Sequence, residues 1–220
     1  ILKLKKGSKI SKFVTNKQKS LAVRFPKHPL FRKLLKSLAY PLAAPSANMS
    51  TRLSSVQTSD VVEEFGSRIK YVLNGGKCRI GVESTIISLL SKPTILRFGG
   101  LDISKIEKVL KKKILIKTNS KKIITPGQFS LHYSPGIPLR TNAKKPKIDE
   151  AFVLIKKRKT TFKNYYYLSK KNDLHQSAKN LYSLLRKIKK DGYKKIAIEK
   201  IQNKGIGKTI NDRLNRASKY

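Results

Sequence analysis

Ala151-Phe152-Val153-Leu154-Ile155 is an unbroken apolar run of strand length, and the helical pattern Leu174 to Ile188 follows it. Ile196-Ala197-Ile198-Glu199 then reads as a second strand and Gly207 to Ala217 as a second helix. A continuous apolar run marks a strand covered on both faces. Strands alternating with helices mark parallel pairing, because a parallel neighbour is reached only through a crossover. The stretch therefore predicts an α/β layer over residues 147–220.

Towards the N-terminus the pattern changes. Between 117 and 146, Pro126, Gly127, Pro135, Gly136 and Pro138 punctuate a segment without sustained periodicity, which reads as a linker or extended loop. Residues 1–116 alternate again. Leu21-Ala22-Val23 is strand-like, and Pro29 to Leu38 is a helix opened by proline in its first turn. Tyr40 to Ala44 reads as a strand, Ser59 or Asp60 as the cap of a helix through Phe65, and Ile69 to Leu73 as a strand stopped at Asn74-Gly75-Gly76. Thr85 to Leu90 and Thr94 to Leu96 are two further strands, and Asp102 to Leu110 is a helix. There is no internal repeat at solenoid periods.

Composition narrows the function classes. A chain of 220 residues, 39% hydrophobic, can hold one large or two small globular domains. No apolar run approaches the roughly 20 residues of a membrane span, and Ile1 to Lys12 lacks the apolar stretch of a secretory signal. The lone Cys78 excludes an internal disulfide and fits a reducing, cytoplasmic setting. His28, His132 and His175 are widely spaced with no cysteine or carboxylate at ligand spacing, so no metal site is expected. Lys and Arg number 51 against 12 Asp and Glu, a net charge of +39. Such a field attracts polyanions such as tRNA in a salt-dependent way. The excess is mostly lysine spread along the chain, as in Lys111 to Lys113, so it reads equally as compositional bias.

Three segments invite a chemical reading. Gly205-Ile206-Gly207-Lys208-Thr209 is not a phosphate loop, since Gln202 stands where that loop needs its first glycine. Pro45-Ser46-Ala47-Asn48-Met49-Ser50, with Ser54-Ser55 beyond it, offers small hydroxyl and amide groups that suit phosphate or carboxylate recognition. Gly81-Val82-Glu83-Ser84-Thr85 has the same character at the entry to an apolar strand. No His and Asp set accompanies either serine cluster, so a serine-nucleophile triad is not supported.

In order, these segments join others: Leu21-Ala22-Val23-Arg24-Phe25-Pro26, Ala44 to Ser50, Asn74-Gly75-Gly76-Lys77-Cys78, Gly81 to Ile87, and Leu96-Arg97-Phe98-Gly99. Five collinear blocks of this kind resemble the YrdC/Sua5 family. Thr125-Pro126-Gly127-Gln128 with His132-Tyr133-Ser134-Pro135, and the tail Asn211-Asp212-Arg213-Leu214-Asn215-Arg216-Ala217, resemble its long Sua5 form. The resemblance implies part of a YrdC-like twisted α/β domain over 1–116, a linker over 117–146 that folds across the site, and a small Rossmann-like Sua5 domain over 147–220. It implies synthesis of L-threonylcarbamoyladenylate and pyrophosphate from L-threonine, bicarbonate and ATP with Mg²⁺, for the t6A machinery that modifies tRNA.

This chemistry rests on positioning, so no catalytic side chain and no metal ligand are implied. Arg24 and Ser84 match positions that hold threonine. Ser20, Ser46, Asn48, Ser54, Arg97 and Tyr133 match positions around ATP. Ala44 stands where some members place a threonine-contacting serine, and Thr51 stands where a glycine is usual. The family's threonine-bearing N-terminal strand and its Lys-x-Arg segment have no match. The expectation is a chain that enters the family pattern midway and is poorly stable or inactive unless a second chain supplies the missing part. A non-catalytic basic RNA-binding module and an inactive gene remnant stay open as alternatives.

Overall fold

The computed structural model describes residues 1–118, 125–127, 129–159 and 162–219. The C-terminal layer is built on β6 (Leu139–Arg140), β7 (Glu150–Lys156), β8 (Tyr165–Ser169) and β9 (Lys195–Ile198), in the spatial order β6-β9-β7-β8. Every pairing in this sheet is parallel. The connection from β8 to β9 runs through α5 (Leu174–Lys190), and α6 (Gly207–Ala217) follows β9.

Alternation along β7 explains why its sequence is apolar throughout. Ala151, Val153 and Ile155 share a core with Leu181, Leu185 and Ile188 of α5 and with Ile210 and Leu214 of α6. Phe152 and Leu154 join Ala143 and Ala197 in a second, smaller cluster. The predicted α/β layer is present. β6 falls inside the stretch read as linker and forms the edge of this sheet.

The N-terminal part is more loosely organised. β1 (Leu2–Lys3) and β2 (Ser20–Leu21) form a short antiparallel pair, with α1 (Lys12–Thr15) between them. α2 (Pro29–Lys36) and α3 (Thr58–Phe65) follow. A three-stranded sheet then takes β3 (Ile86–Ser88) antiparallel to β4 (Thr94–Arg97), and β4 parallel to β5 (Leu115–Ile116), with α4 (Ile103–Leu110) in the crossover. The Asp102 side chain caps α4 by accepting from the Ser104 amide.

Three strand expectations are corrected. Leu21 to Val23 contributes only Ser20–Leu21 to a ladder, and neither Tyr40 to Ala44 nor Ile69 to Leu73 forms a strand. β-propensity makes a strand only where a neighbour accepts and donates its backbone hydrogen bonds. Val23, Tyr40 and Tyr71 are instead exposed. Before residue 100 the buried apolar side chains among the described residues are Leu53, Val56, Ile95 and Leu96. Leu53 and Val56 belong to the C-terminal core itself, which also takes in Tyr133 and Tyr182. The two layers therefore meet around one continuous apolar cluster, and the candidate site lies on that seam.

Candidate functional site

Glu83, at the entry to β3, is the hub of the seam. Its Oε1 accepts from Ser54 Oγ at 2.6 Å and from the Tyr182 hydroxyl at 3.0 Å. Its Oε2 accepts from Arg213 Nε at 2.7 Å. Burial acts to raise the Glu83 pKa, but the Arg213 charge and the hydrogen bonds from Ser54 and Arg213 outweigh it and hold the carboxyl below its usual range.

Arg213 is fully buried, and a charge there is tolerable only if every donor is used. Nη1 pairs with Asp212, Nη2 donates to the Phe98 carbonyl at 2.6 Å, and the guanidinium lies 4.6 Å from the centroid of the Tyr133 ring. Burial disfavours its charge, yet Glu83 and the surrounding oxygens keep its pKa above the ordinary value.

Arg97 ends β4 and reaches back to the same loop. Its Nε and Nη2 both donate to the Ser84 carbonyl, at 3.1 and 2.9 Å, and Nη1 donates to the Pro126 carbonyl at 3.3 Å. Gly99 is required beside it, because a Cβ there would lie 2.1 Å from the Thr85 amide nitrogen. Residues 125–127 and 129–136 cross over these groups. Gly127 brings its Cα so close that a Cβ would meet the Tyr133 hydroxyl at 2.3 Å, and Ser134 N donates to the Thr51 carbonyl at 2.8 Å.

Tyr133 itself is only 1% exposed and adopts a φ of +60°, an uncommon conformation for a large residue. Among the described residues its hydroxyl has no hydrogen-bond partner, and neither does Nδ1 of the adjacent His132. Burial raises the Tyr133 pKa and lowers that of His132, so both rings are neutral near pH 7.

The sequence-derived residues thus divide. Ser54, Ser84, Arg97 and Tyr133 converge on Glu83 and the crossing segment. Asn48 lies at the side of this region, its amide nitrogen donating to the Met49 and Arg52 carbonyls and its Oδ1 buried without a partner among the described residues. Ser20 sits in the β1–β2 ladder opposite Lys3, Ser46 is exposed, and Arg24 is exposed within electrostatic reach of Cys78. The Cys78 thiol is free, and burial pushes its pKa up. Gln128 of the linker motif lies outside the described residues.

Sequence reasoning did not single out Glu83, Tyr182, Arg186 or Arg213 as site residues. The available signal was a lone glutamate inside a hydroxyl-rich motif of a chain poor in acids. Chemically, the Ser54 proton is committed to Glu83, so Ser54 meets a ligand as an acceptor, which suits a ribose hydroxyl or an exocyclic amine better than a phosphate. Glu83 is itself saturated, and the described residues contain no group of three His, Cys, Asp or Glu side chains able to hold a metal.

Comparison with known proteins identifies the family. The family described as Telomere recombination (Sua5_yciO_yrdC) matches residues 1–99, and that described as Threonylcarbamoyl-AMP synthase, C-terminal domain (Sua5_C) matches residues 101–219. The chain belongs to the Sua5 family. It is 33% identical to the threonylcarbamoyl-AMP synthase of Pyrococcus abyssi, over 100% of this chain and 70% of that protein. Identity to the Schizosaccharomyces pombe enzyme of the same name is 30%, over 95% of this chain and 60% of that one. The crystal structure of P. abyssi Sua5 complexed with L-threonine superposes with a TM-score of 0.81 at 29% identity, covering 96% of this chain and 67% of that one. The Sua5-family chain thus spans about two thirds of the length of these relatives. The seam around Glu83 joins residues of both matched regions, Ser54 and Glu83 from the first and Tyr182 and Arg213 from the second.

Proposed function

We propose that the chain is a threonylcarbamoyl-AMP synthase that joins L-threonine, bicarbonate and ATP into L-threonylcarbamoyladenylate with release of pyrophosphate. The observation that carries this reading is the convergence of Ser54, Ser84, Arg97 and the crossing segment at Tyr133 on one seam, in a chain whose relatives bear that name.

The threonine amine adds to bicarbonate with loss of water to give a carbamate. A carbamate oxygen then attacks the α-phosphorus of ATP, and the bond to the β,γ-pyrophosphate breaks. Nothing in this sequence needs a side-chain nucleophile; alignment and charge stabilisation carry it. Arg24 supplies a fork of donors for the threonine carboxylate and Ser84 a second contact. Ser20, Ser46, Asn48, Ser54 and Arg97 surround the nucleotide, and the Tyr133 hydroxyl, without a partner among the described residues, offers it a further hydrogen bond. Mg²⁺ arrives on the ATP phosphates, as part of that substrate.

The domain reading that accompanies this function is a catalytic layer over 1–116, a linker over 117–146 and a Sua5 domain over 147–220. The product would pass to the tRNA t6A machinery in the cytoplasm, and the +39 charge would draw tRNA towards the protein. Calorimetric ATP binding strengthened by L-threonine is expected. A chain that binds neither ATP nor threonine would overturn the reading.

A further inference from the structure

Residues 1–99 contain four carboxylates, Asp60, Glu63, Glu64 and Glu83, in a chain with 51 basic residues. Each of the four faces a basic side chain of α5 or α6. Arg186 lies 3.7 Å from Asp60 and 3.5 Å from Glu64, Lys190 lies 2.6 Å from Glu63, and Arg213 lies 2.7 Å from Glu83. Solubility does not ask for this placement, since acids anywhere would relieve the same excess charge.

Two of these contacts do more than pair charges. Arg186 donates to the Ser54 carbonyl at 2.9 Å and to the Leu53 carbonyl at 2.7 Å, so it fixes the backbone of the loop that carries Ser54. Tyr182, one helical turn earlier on the same face of α5, donates to Glu83, which in turn receives the Ser54 hydroxyl. Arg213 locks Glu83 from α6 and holds the Phe98 carbonyl next to Arg97. Lys190 differs, because its pair with Glu63 is more than half exposed on both sides and holds no backbone.

We propose that α5 and α6 of the C-terminal layer are positioning elements for the site, with Arg186 fixing the Leu53–Ser54 backbone and Tyr182 and Arg213 fixing Glu83. Together they set where Ser54 and Ser84 stand and how the Ser54 hydroxyl is turned. The inference rests on the proposed function for what those serines bind, but the positioning itself is visible without ligand. Buried hydrogen bonds to a charged group are the strong ones, which makes the two helices able to hold the loops rather than merely touch them.

The test compares the full chain with Tyr182→Phe, Arg186→Lys and Lys190→Ala. Tyr182→Phe keeps the packed ring and removes one donor to Glu83. Arg186→Lys keeps a charge for Asp60 and Glu64 but cannot hold both carbonyls. Amide hydrogen exchange over 51–56 and 81–85 should quicken about tenfold in the first two variants, the factor carried by loss of one such hydrogen bond. Exchange in α5 and α6 should stay slow, and Lys190→Ala should behave as the unmodified chain. ATP affinity should fall by a similar factor in the first two variants and be unchanged in Lys190→Ala. A purely structural role predicts instead a lower melting midpoint with faster exchange throughout both helices. Unchanged loop exchange in Tyr182→Phe and Arg186→Lys overturns the positioning. If the loops loosen but the unmodified chain binds no ATP, the positioning stands and the proposed function falls.

Discussion

At the scale of single residues, the site is held by side chains in conformations that cost energy. Thr51 has a φ of +65°, in the left-handed region that a β-branched residue rarely enters. Its carbonyl accepts from Ser134 N, so the strained residue is also where the crossing segment is tied down. The left-handed conformation costs an L-residue roughly 1–2 kcal/mol, and glycine offsets part of that by its greater freedom when unfolded. Thr51→Gly should therefore raise stability by about 0.5–1 kcal/mol, seen as a higher urea midpoint at unchanged slope. A lower midpoint would mean that the Thr51 side chain contributes more than its backbone loses. The departure from glycine at this position was legible in the sequence. What was not legible was Glu83 meeting Arg213, because the partners stand 130 residues apart and neither has a spacing that announces the other. Ser54, Ser84, Arg97 and Tyr133 were legible through ordered motifs, while the exposed positions of Ser46 and Arg24 could not be anticipated from those motifs.

At the scale of elements, legibility followed burial. β7, α5, β9 and α6 were readable because each has an apolar side that the core demands, and the pattern and the packing agree. Tyr40 to Ala44 and Ile69 to Leu73 carry the same residue types but have no ladder to join, so local propensity misled. α5 matters most, since it bears both Tyr182 and Arg186. It begins at Asp173, whose carboxylate accepts from the His175 amide at 2.7 Å and the Gln176 amide at 3.3 Å. Removing an N-cap of this kind costs about 1 kcal/mol. Asp173→Ala should lower the thermal midpoint accordingly while leaving the exchange of residues 51–56 unchanged, because Arg186 sits in the fourth turn of α5, away from fraying at Asp173. An effect of Asp173→Ala on that loop as large as that of Arg186→Lys would show that the helix acts only as a whole.

At the scale of the whole molecule, the seam is an acid-sensitive joint in a protein that otherwise repels itself. Burial pushes the Glu83 carboxyl up, but Arg213 and the Ser54 hydroxyl pull it further down, so its folded-state pKa lies below the unfolded value of about 4.3. A depressed folded pKa means that the unfolded chain takes up the proton more readily. The stability contributed by Glu83 is then fully present above the unfolded pKa and is lost as pH falls through the folded one. Glu83→Gln leaves the fully buried Arg213 with Asp212 alone as a charged partner among the described residues. Breaking a buried pair from one side costs about 3 kcal/mol, so the variant should be less stable by that order at neutral pH. Urea midpoints measured from neutral pH downwards should show the gap between the two chains narrowing below about pH 4, as Glu83 in the unmodified chain is protonated. Because Glu83 joins Ser54 to α5 and α6, nucleotide binding should weaken over the same acid range in the unmodified chain. A gap that stays constant down to the acid limb would mean that the shape of residue 83, and not its charge, closes the joint between the two layers.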